Sequence, residues 1–414
     1  MSQSLSLPVN LSERAGILDA LRGFAILGIF LDNVFSFTGY GFFSMAEREA
    51  LPTFYADGVL GALEMAFVHG KFYSIFSLLF GIGFSIILVR NQQRGINPLK
   101  VFYRRLFILL LIGSAHLFLL WEGDILLLYA LIGCLLPLFR KCSDKSVLIL
   151  GVALIASPIV IDVVKVLLNA RPFEFINQLG QSIDKSNGLP GNSSLSQYLY
   201  RDGAGWKEWR NWQASAWAYR FWYLLTTNRI PKVLGMFLFG LYAGRKMIYA
   251  NLADYTGMFK KLRKWGFMVG IPGSIAMTLF EFDEKNIPNA WGLVDSVLYA
   301  ISVVPLCLAY VSAICLFWIR TKGSNKWQLL APVGRMALTN YLMQTILSII
   351  IFYGLGFGVA GKIGPAVFFP IAFAIYIGQV IYSNWWFKHF NYGPMEWLWR
   401  QLTYGKRLPF RKVN

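Results

Sequence analysis

The chain has 414 residues, 56% of them hydrophobic and 14% charged, with a net charge of +18. Soluble globular domains carry about a quarter charged residues, so this composition excludes an ordinary soluble enzyme and implies a membrane protein. The positive charge is spread over short loops rather than gathered on one face, which argues against a nucleic-acid groove and fits topology signals and anionic lipid headgroups.

Apolar runs of about 20 residues recur, each long enough to cross a hydrocarbon core of about 30 Å. Helices satisfy their own backbone hydrogen bonds in lipid. The expectation is therefore an all-α polytopic membrane protein, one domain over 1–414, with about ten transmembrane helices. These fall at roughly 17–38, 71–90, 103–121, 124–140, 147–168, 230–247, 264–281, 291–319, 333–356 and 364–387. The N-terminal MSQSLSLPVNLSERAG lacks the basic region and cleavage site of a signal peptide. One set of loops carries Arg90, Arg94, Lys100, Arg104 and Arg105, then Arg140, Lys141 and Lys145, with further basic residues in its later members. The short loops between them hold only Arg48, Lys285 and Lys362. That asymmetry predicts cytoplasmic N- and C-termini, with 388–414 a basic cytoplasmic tail.

The first predicted span, ILDALRGFAILGIFLDNVFSF, pairs Asp19 with Arg22 at i, i+3 near its cytoplasmic end. Asn33 follows about 21 Å further along the helix, near the outer end. The second opens HGKFYSIFSLLFGIGFSII, with His69 and Lys71 at the outer edge. A cation at a helix start opposes the dipole, so Lys71 requires an anionic partner from Asp32, Glu64 or Asp124. Gly81 and Gly83 fit close helix packing.

The third span runs outward from Arg104 and Arg105 into AHLFLLWEGDILLLYA. His116 then lies about 17 Å up the helix, Trp121-Glu122-Gly123 makes an outer turn, and Asp124 starts the returning leg. A carboxylate facing an imidazole fixes its tautomer and raises its basicity, as a general base requires; the alternative is a satisfied interhelical hydrogen bond. Glu122 alone is more simply a turn residue, yet it shares with Lys71 the level at which an outer substrate would bind.

The segment 169–229 contains a turn-rich stretch, SNGLPGNSSLS, and then GWKEWRNWQASAWAYRFWYLL. Its tryptophans and tyrosines suit a helix at headgroup level, an acceptor-binding platform being the alternative. The ninth span, APVGRMALTNYLMQT, places Arg335, Asn340 and Gln344 on a polar stripe. Arg335 shares the depth of Arg22 and, with Arg104 and Arg105, predicts a basic inner vestibule. His389 reads as a surface residue of the tail. Cys134, Cys142, Cys307 and Cys315 form no Cys-x-x-Cys pair and read as packing residues, and no metal site is expected. No Gly-x-Ser-x-Gly, His-Glu-x-x-His or Walker motif is present.

Leu18-Asp19-Ala20-Leu21-Arg22-Gly23 with Asn33, then Gly70-Lys71-Phe72 leading to Leu79-Phe80-Gly81, resemble the bacterial YeiB-like inner-membrane family. So do His116 with Trp121-Glu122-Gly123-Asp124-Ile125-Leu126, the run Gly334-Arg335-Met336-Ala337-Leu338-Thr339-Asn340-Tyr341, and Tyr392-Gly393-Pro394-Met395-Glu396-Trp397. The Asp-x-x-Arg-Gly opening and later Asn are also similar to those of heparan-alpha-glucosaminide N-acetyltransferase. That enzyme represents a group of transmembrane acyltransferases that pass acyl groups from cytosolic acyl-CoA to acceptors across the membrane. The resemblance implies acetyl-CoA, or another acyl-CoA, entering at the cytoplasmic mouth, an Asn/His site near the outer face, and a homodimer.

Two readings of function follow. In the first, His116 or His69 is general base, Asp124 orients it, Asn33 stabilises the oxyanion, and Arg22, Arg104, Arg105 and Arg335 hold the nucleotide with Asp19. The acceptor is a glycan, lipid or small molecule outside. In the second, a transporter, His116 and Asp124 form a proton relay.

Overall fold

The computed structural model describes residues 16–93, 95, 97–189, 204–280, 288–321 and 326–412. Most of the turn-rich stretch, together with Arg94, Lys285 and Lys322, lies outside the described residues. The described helices are α1 (Gly16–Phe37), α2 (Met45–Glu49), α3 (Phe54–Phe67), α4 (Lys71–Gln93), α5 (Pro98–Leu119), α6 (Leu126–Gly133), α7 (Asp144–Leu167), α8 (Glu174–Ser186), α9 (Trp206–Thr226), α10 (Arg229–Arg245), α11 (Thr256–Phe280), α12 (Ala290–Arg320), α13 (Ala331–Arg335), α14 (Ala337–Phe352), α15 (Pro365–His389) and α16 (Pro394–Tyr404). No strand occurs among the described residues; Phe390 and Arg411 form one isolated antiparallel bridge. The all-α expectation holds.

Local signals start several helices. Asn97 caps α5 by accepting from the Leu99 N–H, with Pro98 in the first turn. Ser143 and Asn289 cap α7 and α12 in the same way. Among the described residues, five helical segments are long and apolar enough to cross a membrane, six if a bent pair counts as one span, where the sequence reading expected ten. One expected span takes another form: 124–140 divides into α6, only 8 residues long, and a 3-10 turn at Leu136–Lys141, while the expected 230–247 is the continuous 17-residue helix α10.

α1 is the core helix, with Ala20, Ala25, Phe30 and Val34 fully buried. Close backbone approaches hold its neighbours. A Cβ on Gly334 would lie 1.9 Å from the Asp19 carbonyl oxygen, and one on Gly23 2.3 Å from that of Leu330. α4 and α10 meet at Gly81 and Gly240 in the same manner, whereas Gly83 faces open space; of the two glycines expected to permit packing, only Gly81 does so. Cys307 and Cys315 are buried and Cys134 is exposed.

The segment Trp327–Phe352 bends by 83° at the break between α13 and α14. A bend leaves the first N–H groups of the new helix without intrahelical partners. Buried Glu396, carried by α16, supplies them: one carboxylate oxygen accepts from Leu338 N (2.7 Å) and Thr339 N (3.1 Å), the other from Thr339 Oγ1 (2.7 Å). Thus two of the motifs quoted above form one clasp. Glu396→Ala, which orphans these donors, is expected to destabilise the protein by about 3 kcal/mol, while Glu396→Gln retains an acceptor and costs less; thermal unfolding of the purified variants measures both. The tail returns on this clasp, Asn391 pairing with Phe410 and the Trp397 indole donating to Leu408. His389 is exposed, as expected.

Candidate functional site

The polar ends of α1, α4, α6 and α10 converge. Asp32 and Asn33 lie near the end of α1. α3 and α4 are interrupted at Val68–Gly70, where Gly70 adopts φ +79°, a left-handed conformation that favours glycine. This break turns His69 towards α1. His69 Nδ1 lies 2.9 Å from Asp32 Oδ1, with the two side chains 25% and 33% exposed. His69 Nε2 has no hydrogen-bond partner among the described residues. Ligand atoms of Asp32, Glu64 and His69 lie within 4.8 Å of one another. Lys71, fully buried, donates to the Met65 carbonyl (2.8 Å) in the field of Glu64 and Asp32. Its anionic neighbours are therefore Glu64 and Asp32 rather than Asp124.

A cavity of about 530 Å³ opens on this group, lined by Asp32, Asn33, His69, Glu122, Arg220 and Arg229 among polar residues. The aromatic helix α9 forms a wall through Trp212, Tyr219, Trp222 and Tyr223. The Trp212 indole donates to Glu122 (3.4 Å). Arg229 enters just after Asn228, whose φ of +51° begins α10. Its guanidinium donates to Tyr223 Oη (2.7 Å) and lies over the Tyr73 ring at 4.5 Å. Asn228 is fixed from behind by donation to Asp162 (2.8 Å), which also accepts from Lys165 (2.8 Å).

His116 and Asp124 meet as their spacing across the hairpin predicts, Nδ1 to Oδ2 at 2.8 Å. The pair is closed in. His116 Nε2 lies 3.0 Å from Thr345 Oγ1, Asp124 Oδ1 accepts from Leu127 N, and both side chains are 1% exposed. Neither residue lines the larger cavity. Trp121 is folded over Gly123, where a Cβ would strike its ring at 2.0 Å, and stacks on Phe37 at 4.1 Å.

The basic residues occupy the opposite ends of the helices and divide into two groups. Arg22 pairs with buried Asp19 (2.7 Å) beside α13, where Arg335 lies over the Phe387 ring at 3.8 Å. Arg105 lies over Trp399 at 4.1 Å and Arg104 runs beside Gly405, both against α16 and its end. The stripe of α14 turns to α15, with Asn340 bonded to Ser383 and Gln344 to Gln379. None of these residues lines the cavity.

Comparison with known proteins follows the same motifs. A family profile described as "Protein of unknown function (DUF418)" matches residues 243–406. The chain is 31% identical to "Uncharacterized protein YxaH" of Bacillus subtilis (strain 168), across 98% of both. The chain belongs to the YeiB-like DUF418 family. It is 29% identical to "Uncharacterized protein YeiB" of Escherichia coli (strain K12), over 94% of this chain and 96% of that one. No solved structure matches it significantly. The DUF418 profile region holds the Glu396 clasp, whereas Asp32, Asn33 and His69 lie in the half covered by the full-length relatives.

Sequence reasoning missed Arg220, Arg229 and Tyr73. Arg229 carried a usable signal, a cation opening the apolar run RIPKVLGMFLFG just as Lys71 opens its own.

Proposed function

We propose that the chain is an acyltransferase of a bacterial inner membrane, working as a homodimer, that moves an acetyl or other acyl group from cytosolic acyl-CoA to an acceptor outside. One observation carries this reading: a partly exposed His69–Asp32 pair in a cavity wall, with no partner on His69 Nε2 among the described residues, beside Asn33. Asp32 accepting from Nδ1–H leaves Nε2 as the basic nitrogen. His69 takes the proton from an acceptor hydroxyl, and the acceptor oxygen bonds to the thioester carbonyl carbon. The Asn33 amide donates to the developing oxyanion. The C–S bond then breaks, and the imidazolium returns its proton to the departing thiolate. Glu122 lines the acceptor side, and buried Lys71 braces the Asp32–Glu64 group from behind. His116 and Asp124, with no open nitrogen, hold the hairpin that carries Glu122.

The ligand crosses along α1. Arg22 and Asn33 lie 11 residues apart, about 16 Å, a distance an extended thioester arm covers. Arg22 and Arg335, with Asp19 beneath them, receive the nucleotide phosphates, and Arg104 and Arg105 add basic charge at the same end.

Acetyl-CoA is expected to raise the melting temperature of the purified protein, and Arg22→Ala to weaken that shift at least tenfold in apparent affinity, read by thermal unfolding against ligand concentration. No stabilisation by any acyl-CoA, together with solute uptake by sealed vesicles in its absence, would overturn transfer in favour of transport.

A further inference from the structure

The cavity wall is built for more than a generic acceptor. Its aromatic faces alternate with planar hydrogen-bonding groups: Trp212 and Trp222 on α9, Asn177 on α8, Asn33 and Asp32 on α1. An aromatic ring presents a negative face that attracts C–H edges, while amides and carboxylates beside it bind hydroxyls in plane. A pyranose has this division, with C–H faces above and below a rim of hydroxyls. A purely acyl-lined ligand leaves the polar groups unmet, at a cost for each. The Trp222 ring, half-buried, stacks on no other ring among the described residues.

Charge narrows the class. Arg220 lines the cavity and makes no ion pair among the described residues. Backbone oxygens fix it instead: Nε donates to Asp124 O (3.1 Å), and Nη2 to Asp124 O (2.6 Å) and Gly123 O (3.3 Å). A guanidinium held by carbonyls keeps its full positive charge for a ligand anion. Among the lining carboxylates, Asp32 faces His69, and burial pushes the Glu122 carboxyl above its usual range, which reduces the negative charge that would repel an anion.

We infer that the cavity binds an anionic sugar unit, its ring against Trp212 and Trp222 and its carboxylate or phosphate at Arg220. The inference names the acceptor for the transfer reading above and rests on it only for the hydroxyl offered to His69.

Binding of glucose, glucuronic acid, glucose 6-phosphate and inorganic phosphate to the full chain in lipid nanodiscs, where no sugar-headed detergent competes, is measurable by calorimetry. Glucuronic acid or glucose 6-phosphate is expected to bind at least tenfold more tightly than glucose, and whichever binds better identifies the anion as carboxylate or phosphate. Arg220→Gln is expected to abolish that preference. Because Arg220 also braces the hairpin, Trp222→Ala supplies the second arm, weakening both anionic sugars about tenfold in a protein whose melting temperature is retained. Equal binding of glucose and the anionic sugars, phosphate binding as tightly as glucose 6-phosphate, or no effect of Trp222→Ala would each overturn the inference. Anionic sugars that bind but are never acetylated would sink transfer and leave this site standing; acetylation of a neutral or non-sugar acceptor alone would do the reverse.

Discussion

His69→Asn is expected to lower acetyl transfer at least a hundredfold while the protein keeps its melting temperature, and His116→Ala to do the opposite. Asparagine at 69 places an amide near the position of Nδ1 and preserves the hydrogen bond to Asp32, so the α3–α4 break stays closed. What it removes is the open Nε2, and loss of a positioned base costs roughly 10²–10⁴ in rate. His116→Ala deletes the partner of a buried Asp124 carboxylate and of Thr345. A buried charge left unpaired costs about 3–5 kcal/mol, which appears as a large fall in melting temperature. Transfer assays beside unfolding curves on both variants separate the roles. A stable, inactive His116→Ala together with an active His69→Asn would move the base to the hairpin and refute the assignment.

The two histidines differ in how far sequence could carry them. The hairpin was accessible because its geometry is local: eight residues separate His116 from Asp124 across a Trp-Glu-Gly turn, and two antiparallel legs bring them together. Depth counting put Asn33, His69, Lys71, His116 and Asp124 at one level; in the structure Asn33 and His69 line the cavity, Lys71 is buried beside Glu64, and His116 with Asp124 is closed off from it. Depth says nothing about which way a side chain turns, however. Lys71 therefore stood with three equivalent partners until the left-handed Gly70 fixed the break and turned it to Glu64 and Asp32. The same limit applies to the basic residues at the other end. Arg104 and Arg105 share a level with Arg22, but their helix faces α16, where Arg105 lies over Trp399 and Arg104, still exposed, runs beside Gly405. Helix α9 was legible as an aromatic-rich helix, yet its docking on the hairpin depends on Arg220 reaching two backbone carbonyls, a long-range contact with no sequence period. The ten expected spans exceed the five or six long apolar helices among the described residues for a related reason. Hydropathy scores apolar content, and α6 with its following 3-10 turn is apolar enough but not one continuous helix.

Gly81→Ala is expected to destabilise the protein by more than about 3 kcal/mol and to weaken ligand binding in whatever fraction still folds, while Gly83→Ala is expected to be neutral to slightly stabilising. The added Cβ at 81 would sit 2.0 Å from the Phe237 carbonyl oxygen, and a Cβ on the facing Gly240 2.1 Å from that of Leu78. Both obstacles are backbone, so no rotamer change relieves them, and α4 and α10 must move apart; overpacking already costs 1–3 kcal/mol when side chains alone have to give. Position 83 meets nothing within 4 Å, so alanine there brings only its better helix propensity, worth up to about 1 kcal/mol. The crossing matters to function because of where the two helices begin. α4 starts at Lys71, two residues after His69, and α10 starts at Arg229. Each reaches the crossing after 10 or 11 residues, about 15 Å, so Gly81 and Gly240 act as the pivot of two arms of equal length whose tips carry the cavity's base and one of its cations. Separating the helices at the pivot pulls Arg229 from the Tyr73 ring, now 4.5 Å away, and opens the wall between them. Unfolding curves for the two alanine variants, with acetyl-CoA and sugar binding on the folded material, measure both consequences. A Gly81→Ala protein as stable as its Gly83→Ala counterpart would show that the helices do not rely on this contact.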